Sequence, residues 1–107
     1  MAFDALELSI DLITDLANVE AAVRLRRKKL ADEIARSADS IALNLGEGRH
    51  RIGRDRGHHY RIAAGSAGEL TTALRIACGR KLITRARYAA VDAKLDRIRA
   101  MLWRLTR

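Results

Sequence analysis

The chain has 107 residues, 49% of them hydrophobic, but only four aromatics (Phe3, Tyr60, Tyr88 and Trp103) and no proline. A chain this long buries about two-thirds of its unfolded surface, enough for one modest core and not for two. No apolar run exceeds the four residues Tyr88–Val91, against about 20 for a bilayer span, and the single Cys78 excludes an internal disulfide.

The net charge of +8 is unevenly spread: residues 1–20 carry Asp4, Glu7, Asp11, Asp15 and Glu20 with no base, leaving +13 downstream. A surface that basic attracts polyanions, nucleic acid first, then acidic protein faces and anionic lipid. The acidic start lacks the basic n-region of a signal peptide, so the chain is expected in the cytoplasm and off the membrane. A core of Leu, Ile, Val and Ala in a proline-free sequence favours helix.

In chain order, Leu6, Ile10, Ile13 and Leu16 or Ala17 recur at helical spacing, with Asp4 as cap, and the pattern weakens at Asn18 and Val19. A second stripe through Leu30, Ile34, Ser37 or Ala38, Ile41 and Leu45 predicts a helix over about 22–47 that Gly46 and Gly48 stop in left-handed geometry. Residues 49–54 read as a basic loop, and Asp55 as the next N-cap. The third helix presents Ala63, Ser66, Leu70, Ala73 or Leu74, and Ala77, and ends at Gly79. Gly65 and Gly68 inside it predict close approach of a neighbouring helix. Tyr88, Val91, Leu95, Ile98, Leu102 and Leu105 make the cleanest stripe, the fourth helix. The expectation is an all-α chain: one domain over 1–107, an up-down-up-down antiparallel four-helix bundle.

The segment Ser40-Ile41-Ala42-Leu43-Asn44-Leu45-Gly46-Glu47-Gly48-Arg49 resembles the S-I-x-x-N-[IL]-x-E-G signature of a bacterial four-helix-bundle family. The stretch Tyr60–Leu70, with Gly65-Ser66 and Glu69, is similar to the same family's Gly-Ser-x-x-Glu helix. This family includes proteins encoded by intervening sequences in large-subunit ribosomal RNA genes and the accessory variability determinant of diversity-generating retroelements. The likeness spans about residues 4–105. It departs at Ala22-Val23-Arg24-Leu25, where the family commonly has a proline-containing turn, and at Gly79-Arg80-Lys81, where Gly-Tyr is common. The resemblance implies a homo-oligomer, a ring-like pentamer, whose basic outer surface engages reverse transcriptase and nucleic acid in the retroelement members.

Two basic groups are candidate nucleic-acid contacts. Arg24, Arg26, Arg27, Lys28 and Lys29 fall within six residues, and at about 100° per residue they form a collar around a helix rather than a stripe. Phosphates could dock there without a base being read; the bland alternative is a solvated helix start or a seat for the acidic first helix of another subunit. Arg49, Arg51, Arg54, Arg56 and Arg61 surround the second loop, where guanidinium forks suit phosphate oxygens. With only Tyr60 nearby, stacking on single strands is disfavoured and a duplex or structured RNA fits better.

Other clusters read as structural. His58 and His59 diverge on a helix, and Glu47-x-x-His50 is only one half of a di-iron pattern, so no metal or other cofactor is expected. Ser40, Asn44, Glu47, Gly48, Gly65, Ser66 and Glu69 are the motif residues. Asn44, Glu47, Ser66 and Glu69 are placed at the inward edge of helices two and three, where buried polar groups fix register. No nucleophile, base and oxyanion group can be assembled, so no enzyme is expected. The leading expectation is a homo-oligomeric adaptor binding RNA, DNA or a nucleic-acid enzyme such as a reverse transcriptase; the alternative is a protein-interaction scaffold for an acidic partner.

Overall fold

The computed structural model describes residues 2–107, with side chains from Asp4 onward. Four helices form: α1 (Ala2–Arg24), α2 (Lys28–Arg49), α3 (Gly53–Gly79) and α4 (Arg85–Leu105). The shortest has 21 residues, about 30 Å at 1.5 Å per residue. The turns 25–27, 50–52 and 80–84 are far too short to cross that length, so each helix runs antiparallel to its chain neighbour. α1 packs on α2 and α4, and α3 on α2 and α4, closing a square up-down-up-down bundle of 43 × 22 × 20 Å.

The core is aliphatic. Ile34, Ala38, Ile41 and Leu45 of α2, Leu70, Leu74 and Ala77 of α3, and Val91, Leu95, Ile98 and Leu102 of α4 are buried along the stripes expected of them. α1 differs. Its buried line is Ala5, Leu8, Leu12, Leu16, Val19 and Val23, and Ile10 is exposed. Two apolar lines overlap on this helix, and the one continued by Val19 and Val23 faces the core. That continuation carries α1 straight through Asn18 to Arg24, so α2 begins at Lys28 rather than near residue 22.

The helix ends also correct the expectation. Gly46 and Gly48 lie inside α2, which runs to Arg49, and the loop is only His50–Ile52. Left-handed backbone occurs instead at Gly53 (φ 59°) and Lys81 (φ 60°). Ile52, not Asp55, occupies the N-cap of α3, with Asp55 in its first turn. α3 ends in a Schellman arrangement: Leu82 N–H donates to Ala77 O (2.9 Å) and Lys81 N–H to Cys78 O (3.0 Å), so Lys81, two residues beyond Gly79, takes the position that glycine usually fills. Gly65 and Gly68 are exposed, and nothing lies within 4 Å of where their Cβ atoms would stand. Within the bundle they mark no close helix contact.

Candidate nucleic-acid interface

The five basic residues between Arg24 and Lys29 do not ring one helix. Arg24 ends α1, Arg26 and Arg27 form the turn through amide bonds to Val23 O (3.1 and 2.8 Å), and Lys28 and Lys29 open α2. All five are exposed, and among the described residues only Arg24 has an ion-pair partner, Asp32 at 2.8 Å. Because the bundle is antiparallel, the α3–α4 turn lies at the same end and adds Arg80, Lys81, Arg85 and Arg87, with Arg75 one turn below. These five are exposed as well, and among the described residues none of them has an ion-pair partner. Ala22 of α1 and residues of the α3–α4 turn line one cavity there, which joins the two turns into one surface.

This end breaks an electrostatic rule that the other end obeys. A helix N-terminus is the positive end of the dipole and favours acids by about 0.3–1 kcal/mol each. α1 and α3 begin at the opposite end and carry Asp4 and Asp55 in their first turns. α2 and α4 begin at this end with no acid in the first turn, and Lys28, Lys29, Arg85 and Arg87 stand there instead. Two positive helix ends and an uncompensated set of cations therefore coincide. Arg75, Arg80, Lys81, Arg85 and Arg87 were missed in the sequence because about 50 residues separate them from the collar; the missing acids at both helix starts were the available signal.

The second predicted group is largely occupied by the fold. Arg51 pairs with Asp55 (2.9 Å) and Glu47 (3.6 Å). Arg56 donates to Gly48 O (3.2 Å) and Arg49 O (3.4 Å), capping the C-terminus of α2. Arg61 lies over Gly57, Arg49 is half-buried at the helix end, and Arg54 is exposed.

Apart from Gly65, whose Cβ position is open, the motif residues split into three sets. Ser40 and Ser66 hydroxyls bond across α2 and α3 at 2.7 Å. Asn44 Nδ2 donates to Ser40 O (2.9 Å) and Oγ (3.2 Å), and Asn44 Oδ1 lies 3.0 Å from His59 Nδ1. Glu47 and Glu69 are exposed rather than inward: Glu47 serves Arg51, while Glu69 and Glu33 clasp Arg36. The hydrogen bond from Arg36 holds Glu33 below the usual glutamate range. Gly48, lastly, is buried against Tyr60. The Ser66–Ser40–Asn44–His59 line thus pins α2 to α3, with its polar atoms bonded to one another. Among the described residues no three His, Cys, Asp or Glu side chains gather as metal ligands would.

No curated protein matches the chain. A protein of unknown function from the S23 ribosomal protein family of Bacteroides thetaiotaomicron has the same fold in its crystal structure, with a TM-score of 0.88 at 22% identity over 96% of this chain and 98% of that one. The family model for the 23S rRNA-intervening sequence protein matches residues 2–104. With the signature residues Ser40, Asn44 and Ser66 bonded across α2 and α3, and the match running nearly end to end, the chain belongs to the 23S rRNA-intervening sequence protein family.

Proposed function

We propose that this chain is a non-catalytic, self-associating adaptor that binds nucleic acid through the phosphate backbone at the end of the bundle bearing the α1–α2 and α3–α4 turns. One observation carries the reading: at that end the N-termini of α2 and α4 are surrounded by cations where acids would stabilise them, a local conflict that an external polyanion resolves. RNA is the first polyanion to try, since the family is described by an intervening sequence of 23S rRNA; an acidic protein such as a reverse transcriptase offers the same complementary charge. Contacts of this kind read charge spacing rather than base sequence.

Self-association is supported by apolar residues left on opposite sides of the square. Leu43 (71% exposed) and Ile10 stand on the α1–α2 side, and Trp103 (61%) on the α3–α4 side. Different patches on opposite faces suit a head-to-tail contact, which closes into a ring when the rotation per subunit divides the circle. The acidic first helix contributes less than its sequence suggests, because Asp15 pairs with Lys94 of the same subunit at 2.5 Å.

A salt series with duplex RNA tests the binding. A steep fall of log affinity with log salt is expected. Changing Arg26, Arg27, Lys28 and Lys29 to Gln should flatten it, each lost contact removing about 0.9 from the slope on a duplex. Absence of binding at low salt rejects the nucleic-acid role and leaves the protein-scaffold reading. Light scattering after size exclusion tests assembly: a mass near 11.9 kDa rejects it.

A further inference from the structure

The cationic end is not a uniform surface. It contains a half-open cavity of about 910 Å³ between the α3–α4 turn and the end of α1, within the range of small-molecule sites. Arg75, Lys81, Arg85 and Arg87 line it, and no acid does. Thr84, the N-cap of α4, is also on the wall, so the positive end of that helix opens into the same space. Ala22, Leu82 and the half-buried Tyr88 line it as well, apolar area for a flat ring. The lining therefore combines cations suited to phosphate with apolar area suited to a base.

We propose that this cavity binds a nucleotide through a phosphomonoester, supplied either by a free nucleoside monophosphate or by the phosphorylated end of a strand. The strand case rests on the nucleic-acid reading above. Four cations with no acid match a monoester better than an internal diester. A monoester carries about 1.5 to 2 negative charges at neutral pH, against one for a diester, and it brings chain to accommodate on one side only. Guanidinium forks from Arg75, Arg85 and Arg87 can each take two of its oxygens, with Lys81 as a point charge.

The single Cys78 lines the same cavity and is half-buried, which makes it a reporter within the unmodified protein. The experiment follows its alkylation by iodoacetamide in the presence of AMP, adenosine, and a short RNA bearing a 5′-phosphate, a 3′-phosphate or neither, alongside the binding affinity of each strand. A terminal phosphate is expected to tighten strand binding by about tenfold or more and to slow alkylation, with adenosine giving no protection. The double change Arg85→Gln with Arg87→Gln should abolish that preference, whereas Arg26→Gln with Arg27→Gln should weaken all strands and preserve it. Protection by AMP at concentrations where the phosphorylated strand gives none identifies a free nucleotide as the ligand; protection by the phosphorylated strand where AMP gives none identifies a strand end. Equal affinity and equal protection for phosphorylated and unphosphorylated strands overturn the proposal while leaving general nucleic-acid binding intact. Binding of no strand, with protection by AMP, sinks the nucleic-acid reading and keeps the cavity's; absence of both removes the two together.

Discussion

Gly48 lies edge-on to the ring of Tyr60: a Cβ added to it would stand 2.5 Å from Tyr60 Cε1 and 2.8 Å from Cδ1. Tyr60 is only 4% exposed and cannot swing clear, and His59 Cβ closes the same space at 3.3 Å. Gly48→Ala therefore has to part α2 from α3 beside their turn, a cost of about 1–3 kcal/mol that outweighs the roughly 1 kcal/mol gained in helix propensity. Two residues earlier, Gly46 has nothing within 4 Å of its Cβ position, and Gly46→Ala gains that propensity alone. Melting followed by circular dichroism should move in opposite directions for the two variants; a rise in both shows that Tyr60 yields.

Gly65 and Gly68 behave like Gly46. Their open Cβ positions inside α3 mean that Gly65→Ala and Gly68→Ala should each raise the denaturant midpoint, by up to about 1 kcal/mol of stability. A lower midpoint for either would reveal a contact on that face which a single subunit does not make.

Lys81 sets stability against binding. A non-glycine residue in left-handed backbone costs about 1–2 kcal/mol, and Lys81 bears that cost at φ 60° while lining the cationic cavity. Lys81→Gly should raise the melting temperature and weaken RNA binding at low salt. Unchanged affinity with a higher melting temperature would make Lys81 a bystander.

Glu20 should give stability a pH dependence. Partial burial, then the charge of Asp39, pushes its carboxyl above the ordinary value of 4.5, with Arg24 pulling the other way. A raised folded value means that the folded state holds the proton more firmly, so this residue's contribution weakens as pH rises from about 4.5 through the folded value and stays low above it. Glu20→Gln is expected to stabilise at pH 7 and to leave stability unchanged at pH 4. An equal gain at both values would point to packing rather than charge.

Helix content, the buried lines of α2, α3 and α4, and the antiparallel bundle were legible in the sequence, because a 3.6-residue period and short turns leave little freedom once the core is aliphatic. The ends of the helices were not. Val19 and Val23 extend α1 past a weak stretch because α2 and α4 are there to cover them, and the chain tolerates Lys81 in left-handed backbone because Leu82 N–H reaches Ala77 O across the turn. The collar Arg24 to Lys29 was visible as a run. Its union with Arg75, Arg80, Lys81, Arg85 and Arg87 was decided only by tertiary structure, as was the diversion of Arg51 and Arg56 into pairing and capping. A sequence displays charge along the chain, whereas a surface is made by the residues that antiparallel packing brings to the same end.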